Sequence, residues 1–125
     1  STGNAVRASY KAPPEIGVSN FFIEPSNIEP EKIIEGVGNG FHVTDIIGLH
    51  SGTNPISGQI SVGAKGFLIK NGSIDFPVKE VTIATDILSF CKKLEKVGKD
   101  LKFLPSAGYI GSPSILVRDI TVSGD

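Results

Sequence analysis

Residues that could bind a metal ion are few and widely spaced in this chain. It contains two histidines, His42 and His50, and one cysteine, Cys91. Histidines eight positions apart match neither the i, i+4 pair of a helical zinc motif nor the spacing of a zinc finger. Neither His-Glu-x-x-His nor His-Glu-x-x-x-His occurs in the sequence. We therefore expect no metal site and no cofactor in this chain alone.

Hydroxyl groups that could act as nucleophiles lie close to one of the histidines. Ser51 directly follows His50, and Ser57 and Ser61 are nearby. Adjacent residues rarely align a base with a nucleophile, and no Gly-x-Ser-x-Gly elbow is present. Serines in such a segment are typical of turns. The sequence therefore predicts no catalytic residue in this chain.

A glycine-rich segment, Gly36-Val-Gly-Asn-Gly40, resembles a loose fragment of a dinucleotide-binding fingerprint. It follows a predicted helix and precedes a predicted strand, whereas the fingerprint requires the opposite order. Glycines at the end of a helix are typical of its C-terminal turn. We therefore interpret this segment as structural.

Two long loops of small residues are the candidates for a binding surface, at residues 50–58 and 105–113. Functional groups concentrate on such loops when a regular scaffold positions them. The pattern leaves two interpretations open, a substrate contact or a structural and interface loop. The candidate residues are His50, Ser51, Gly52, Thr53, Asn54, Gly58, Ser61, Gly111 and Ser112.

A β-hairpin across Asn71-Gly72 is the strongest structural signal in the chain. Asn-Gly between two alternating apolar segments favours a type I′ turn, which needs positive φ at both central residues. Gly63 and Gly66 lie inside the first strand, where glycine often marks a bulge or a close backbone approach. Alternation places two sets of side chains on facing positions. These sets are Ile60, Val62, Ala64, Gly66 and Leu68, and Ile74, Phe76 and Val78.

Helical signals are limited to two segments. Thr85 or Asp86 can cap a main helix over about residues 86–97, and a short helix is predicted over about residues 30–35. In the main helix an apolar stripe predicts that Cys91 is buried. The stripe consists of Ile87, Leu88, Cys91 and Leu94. The predicted class is α+β, dominated by antiparallel sheet in a sandwich or partial barrel.

Composition limits the classes of function. At 125 residues the chain predicts a single domain, residues 1–125. Its formal net charge of −1 gives no basic surface for nucleic acid. No apolar segment is long enough to span a membrane, and the single cysteine favours a reducing, cytoplasmic location. The chain begins without an initiator methionine and contains no methionine elsewhere, which suggests either a piece of a longer polypeptide or a start that was removed.

An ordered set of short motifs extends along most of the chain. Together they resemble the carboxy-terminal domain of the TldD/PmbA family, whose PmbA branch is also called TldE and which older descriptions call modulators of DNA gyrase. The motifs are Gly3-Asn-Ala5 with Arg7, Gly52-Thr-Asn54 with Gly58, Ser61-Val-Gly-Ala64, Gly66-Phe67, Asn71-Gly72, Pro77-Val78, Glu80, Thr82-Ile-Ala84, and Val97-Gly98 with Asp100.

The resemblance implies a specific division of roles. In this family TldD is a zinc peptidase whose His-Glu-x-x-x-His helix lies upstream of the region represented here, and a carboxy-terminal cysteine completes its metal site. The segment from Leu101 to Ser114 contains no cysteine. The resemblance therefore implies a PmbA/TldE-like branch without a zinc site, with zinc expected in a TldD-like partner.

The implied partners are a TldD-like subunit, a second copy of the chain, or both, with unfolded or modified peptides as substrates. No membrane association and no direct binding of nucleic acid are expected. Whether this chain is itself an enzyme stays open at this stage. The alternatives are part of a zinc metallopeptidase whose ligands lie upstream, and a non-enzymatic binding or interaction module.

Overall fold

Strands dominate the computed structural model, which describes residues 5–7, 9–17, 20–104 and 110–124. The α+β, β-dominated class predicted from the sequence is confirmed. In chain order the elements are β1 (Ala5–Val6), β2 (Glu15–Ile16), β3 (Phe21–Phe22), α1 (Pro30–Val37), β4 (Gly40–Ile47), α2 (Leu49–Gly52), β5 (Gln59–Lys70), β6 (Ser73–Asp86), α3 (Ile87–Lys92), β7 (Leu94–Val97), β8 (Lys102–Leu104), β9 (Ile110–Ser112), β10 (Ile115–Val117) and β11 (Thr121–Ser123).

The described strands form four sheets. The largest has the order β11-β6-β5-β4 and is antiparallel throughout. A three-stranded sheet has the order β3-β9-β8, in which β3 and β9 run parallel. The pairs β1-β2 and β10-β7 complete the set. The four-stranded sheet therefore supports the first candidate loop, residues 50–58, whereas the strands on either side of the second, β8 and β9, belong to the three-stranded sheet.

The hairpin between β5 and β6 is the centre of that sheet. Its turn has φ of 52° at Asn71 and 76° at Gly72, so both central residues adopt the left-handed conformation that a type I′ turn requires. The ladder then runs from the pair Lys70–Ser73 to the pair Gln59–Asp86. The predicted hairpin is confirmed.

Alternation along β5 holds only in part. Val62 and Ala64 are buried as expected, at 4% and 1% exposure. Beyond them Ile69 is buried, whereas Ile74 and Phe76 on β6 are about half exposed. The β5–β6 ladder contains two bulges, between Ala64 and Gly66 and between Phe67 and Ile69. A bulge interrupts the alternation of side chains along a strand. The predicted set of facing side chains on β5 and β6 therefore does not hold along the whole hairpin.

The main helix is shorter than predicted. Instead of about residues 86–97, α3 covers Ile87–Lys92, and the chain continues as β7, which pairs with β10. Cys91 is exposed on α3, so the prediction of a buried cysteine is wrong. Pairing with a strand more than fifteen residues away overrides the local helical pattern of residues 93–97.

The other helices differ less from expectation. α1 contains the predicted short helix, begins at Pro30 and ends where Gly38 takes a φ of 72°. α2 is a single turn inside the predicted loop, and it follows Gly48, whose φ is 77°. The longest described helix has eight residues. None in the described part of the chain is therefore long enough for the roughly 20 residues that a bilayer crossing needs.

Little of the apolar surface is buried inside the domain. Four described apolar residues are buried, namely Ile33, Val62, Ala64 and Ile69. The accessible surface is 9318 Å², whereas a compact protein of this mass exposes about 6,400 Å². The three-stranded sheet contributes to this excess through exposed apolar side chains. They are Phe21, Phe22, Phe103, Leu104 and Ile110.

Candidate functional site

An open groove of about 820 Å³ lies where α2 and its following loop meet β5 and the end of β6. The groove is formed by small and polar residues from three parts of the chain that the hairpin brings together. Its lining consists of Ser51, Gly52, Thr53, Asn54, Pro55, Gln59, Ile60, Ser61, Ala84, Thr85 and Asp86.

Local hydrogen bonds fix the α2 side of the groove. The N–H groups of Ser51 and Gly52 donate to the carbonyl of Gly48 at 3.2 and 2.9 Å. The Ser51 hydroxyl donates to the same carbonyl, and the Thr53 hydroxyl donates to the carbonyl of Leu49. Both hydroxyls therefore shape the turn, which agrees with the structural interpretation of these residues.

Asn54 organises the loop that follows α2. Its side-chain oxygen accepts hydrogen bonds from the N–H groups of Ile56 and Ser57 at 3.0 and 3.2 Å. Its carbonyl accepts from Gly58 at 2.8 Å, and its own N–H donates to Gln59. An asparagine side chain that mimics a backbone turn in this way gives a short loop one defined shape.

Close backbone approach sets the depth of the groove. A Cβ at Gly52 would overlap the carbonyl oxygen of Ser61, so only glycine allows α2 to lie this near β5. Gly58 has a φ of 75°, and its carbonyl accepts a hydrogen bond from Ile87 at the start of α3. The loop is thus joined to the sheet at one end and to α3 at the other.

Asp86 supplies the one charged side chain among the described lining residues. It caps α3, since its two carboxylate oxygens accept from the N–H and the hydroxyl of Ser89 at 2.9 and 2.8 Å. Both hydrogen bonds lower the pKa of Asp86 below its usual value of 3.8, and the one from the N–H has the larger effect. The carboxylate is ionised at neutral pH and is already engaged within the protein.

This arrangement favours binding rather than bond cleavage. The hydroxyl groups of Ser51 and Thr53 donate to backbone carbonyls, and the Asp86 carboxylate accepts from Ser89, so these groups are engaged within the protein. Small side chains and exposed backbone suit a neutral polar ligand such as a peptide segment, or the surface of another protein.

Comparisons with known proteins identify the domain. Residues 1–124 match the model of the family described as "PmbA/TldA metallopeptidase C-terminal domain". The chain belongs to this family. It is 31% identical over 108 residues to "Metalloprotease PmbA" of Escherichia coli O157:H7 and 29% identical over 136 residues to a TldD homologue of Buchnera aphidicola from Acyrthosiphon pisum. These matches cover 86% and 99% of the chain but 23% and 28% of the relatives.

Structural comparison agrees with the family assignment. The crystal structure of TldE from Thermococcus kodakarensis superposes with a TM-score of 0.86 and 27% identity, over 99% of this chain and 28% of the other. The chain therefore spans about a quarter of the length of its relatives and represents their C-terminal domain.

The predicted site residues of this PmbA/TldD family domain separate into two groups. Ser51, Gly52, Thr53, Asn54 and Ser61 come together in the groove, and Gly58 holds its rim. His50 belongs to α2, but its side chain is outside the described part of the structure, as are residues 105–109 of the second predicted loop.

Gly111 and Ser112 lie apart from that groove lining, in β9 of the three-stranded sheet. The ring of Phe103 packs against Gly111 so closely that a Cβ would lie 2.8 Å from it. The Ser112 hydroxyl donates to the carbonyl of Pro113 at 2.8 Å. Both residues therefore have structural roles in the arrangement seen here.

Zinc, which the family name implies, does not fit the described side chains. Within residues 5–7, 9–17, 20–104 and 110–124, no three His, Cys, Asp or Glu side chains converge in a group that could hold a metal ion. A catalytic zinc site needs three protein ligands and an open position. The described residues therefore do not supply the ligands of a zinc site.

Six lining residues are missing from the sequence-based site prediction, although Thr85 or Asp86 was identified there as a helix cap: Pro55, Gln59, Ile60, Ala84, Thr85 and Asp86. Gln59, Ala84, Thr85 and Asp86 enter the groove because the β5–β6 ladder places Gln59 opposite Asp86 and Ser61 opposite Ala84. The hairpin itself was the available signal, since its second strand must return to the residues beside Gln59.

Proposed function

We propose that this chain is the C-terminal domain of a PmbA/TldE-like subunit in a cytoplasmic TldD/TldE-type metallopeptidase complex. The complex acts on unfolded or modified peptides, and the TldD-like partner supplies the zinc. The observation that carries the proposal is the position of the one cysteine. Cys91 lies on α3, whereas the segment from Leu101 to Ser114 has no cysteine that could complete a TldD-like metal site.

The relatives support this branch of the family. A protein named PmbA is 31% identical, and a structure named TldE shares the fold over nearly the whole domain. The sequence has two histidines and one cysteine, and the described His, Cys, Asp and Glu side chains form no group that could hold a metal ion. The domain itself is proposed to be non-catalytic.

The large accessible surface supports a role in a larger assembly. The surface exceeds the expected value by about 2,900 Å², which is more than the roughly 800 Å² that one partner contributes to a standard interface. Exposed aromatic and aliphatic side chains on β3, β8 and β9 are part of it. A TldD-like subunit, a second copy, or other parts of a longer polypeptide would cover such a surface.

The groove is proposed as the contact of this domain with a peptide or with the partner subunit. Ser61 and Gln59 come from β5, Thr85 comes from β6, and Asn54 lies in a loop with a fixed shape. A rigid scaffold that presents small polar residues can hydrogen-bond a ligand without recognising its side chains. Such a contact suits an enzyme that accepts different unfolded peptides.

The test is peptide cleavage by the natural full-length protein with and without its TldD-like partner. Neither activity nor zinc is expected from the protein by itself, and cleavage of an unfolded peptide should appear when the partner is added. A partner variant in which the histidines of His-Glu-x-x-x-His are replaced is the control and should give an inactive complex. Cleavage by the protein alone would contradict the proposal.

A second candidate is favoured by one observation. The match to the Buchnera TldD homologue covers 99% of the chain, more than the match to the Escherichia coli PmbA. The domain could therefore belong to a zinc metallopeptidase whose ligands lie outside these residues. An upstream His-Glu-x-x-x-His in the full-length protein, with activity lost on chelation and no partner required, would favour this candidate.

A further inference from the structure

The two Asn-Gly dipeptides of the chain, Asn39-Gly40 and Asn71-Gly72, lie against each other in the fold. The backbone N–H of Asn71 donates to the side-chain oxygen of Asn39 at 3.2 Å. The N–H of Gly72 donates to the carbonyl of Gly38 at 2.9 Å. The turn of the central hairpin is therefore joined by two hydrogen bonds to the segment that follows α1.

Asn-Gly is the dipeptide most prone to deamidation. The backbone nitrogen that follows the asparagine loses its proton and attacks the side-chain Cγ, a new C–N bond forms, and ammonia leaves. Water then opens the five-membered succinimide to aspartate or isoaspartate, so the reaction takes up one water, releases one ammonia and needs no cofactor. Glycine favours it because no side chain hinders the approach and the backbone rotates freely.

We propose that Asn39 is a deamidation site in the folded protein and that the fold protects Asn71. Asn39 is exposed and lies between two glycines, at the point where β4 begins and its ladder ends. The hydrogen bond from Asn71 to the carboxamide oxygen withdraws electron density from Cγ, which favours attack by the nitrogen of Gly40. Asn39 thus combines an exposed position, a glycine on either side and a polarised carboxamide, at the last pair of the β4–β5 ladder.

Asn71 is restrained by the hairpin turn itself. Its attacking nitrogen would be that of Gly72, whose N–H is bonded to Gly38. Attack requires rotation about the bonds of a turn that needs the observed φ values of 52° and 76°. The turn also packs closely on α1, since a Cβ at Gly72 would lie 2.8 Å from the carbonyl oxygen of Glu35. Deamidation at Asn71 must therefore break the hairpin turn.

Modification at Asn39 would alter the contact between the hairpin and α1. Aspartate keeps an oxygen that can accept from Asn71. Isoaspartate adds the side-chain carbon to the backbone and moves the acceptor away, so that the N–H of Asn71 loses its partner. The isoaspartate form of the protein should therefore unfold at lower denaturant concentration than the aspartate form.

The experiment is incubation of the full chain in mildly alkaline buffer, followed by proteolysis and mass spectrometry that separates asparagine, aspartate and isoaspartate at each position. The same incubation in denaturant is the control, because both dipeptides are then free to react. Folding should raise the ratio of the rate at Asn39 to that at Asn71 by about fivefold or more, the factor that one retained hydrogen bond provides.

The variant Asn39→Gln provides the matched control, because glutamine retains the amide and reacts far more slowly. It should lose the modification at position 39 while Asn71 stays unmodified in the folded state. A smaller rise of the rate ratio on folding would overturn the proposal. So would a folded protein in which position 39 stays unmodified while both positions react in denaturant, because that result would mean that the fold protects both residues.

Discussion

Asp100 accepts two hydrogen bonds from Ser114, one from the hydroxyl at 2.6 Å and one from the backbone N–H at 2.9 Å. Both hydrogen bonds lower the pKa of Asp100 below its usual value of 3.8, and the one from the hydroxyl has the larger effect. The pair joins the segment after β7 to the start of β10, next to the hydrogen bond from Gly98 to the Ser114 carbonyl. These contacts hold the β7–β10 pair together at the end where β10 begins.

The stability of the domain should therefore depend on Asp100 in acid. Because its folded-state pKa lies below the unfolded value, the ionised carboxylate stabilises the fold above the unfolded pKa, and this contribution is lost as the pH falls from about 5 through the folded pKa. Asp100→Asn removes this charge. Urea unfolding across that pH range should show a smaller acid loss for the variant than for the original chain.

The control for Asp100 is Asp119→Asn, at an exposed position whose φ of 53° asparagine also tolerates. This variant should keep the acid loss of the original chain. If both variants lost stability in acid to the same extent as the original chain, the role of Asp100 would be refuted.

Two glycines within β5 should respond differently to the same substitution. A Cβ at Gly66 would overlap the carbonyl oxygen of His42 on β4, whereas a Cβ at Gly63 would make an ordinary contact of 3.5 Å with Ile47. We expect Gly66→Ala to lower the free energy of unfolding by about 2 kcal/mol or more, since it forces apart a packed strand pair. Gly63→Ala should change it by less than about 1 kcal/mol. Equal unfolding midpoints would contradict the close approach of β4 and β5 at Gly66.

The thiol of Cys91 should be accessible in the folded chain. It lies exposed on α3, on a helix that ends at Lys92. A small thiol reagent should therefore label the native protein at a rate close to that of the unfolded protein. Labelling that requires denaturant would instead support the longer helix with a buried stripe, which the sequence predicted and the structure does not contain.

The groove can be tested by filling it. Ser61→Tyr places a large side chain among small lining residues, and in the complex of the full-length protein with its TldD-like partner we expect kcat/KM for an unfolded peptide to fall by about tenfold or more. Ser123→Tyr, on exposed β11, is the control and should leave kcat/KM unchanged. Unchanged activity in a well-folded Ser61→Tyr complex would mean that neither peptide nor partner uses this groove.

The turn chemistry of the hairpin could be predicted from sequence because it is local. Asn71 and Gly72 take positive φ as that dipeptide predicts, and Asp86 caps a helix as expected. The extent of α3 could not be predicted, because residues 94–97 pair with a strand far along the chain. The free energy of such long-range strand pairing cannot be read from a local sequence pattern.

The candidate site was predictable on its loop side but not on its strand side. The small residues around Asn54 indicated a shaped loop, and they do line the groove. A hairpin without bulges would place Ala84 opposite Gln59, because the turn pairs Lys70 with Ser73. Two bulges shift the register by two residues and place Asp86 there. These bulges depend on packing between strands, which the sequence pattern does not reveal.

We propose that this domain belongs to a subunit without its own zinc. The most direct measurement is the zinc content of the natural full-length protein, purified without its partner and dialysed against metal-free buffer. We predict zinc far below one ion per chain, together with no peptide cleavage. One tightly held zinc ion per chain, with peptide cleavage that a chelator abolishes and that needs no partner, would contradict the account and favour a self-sufficient metallopeptidase.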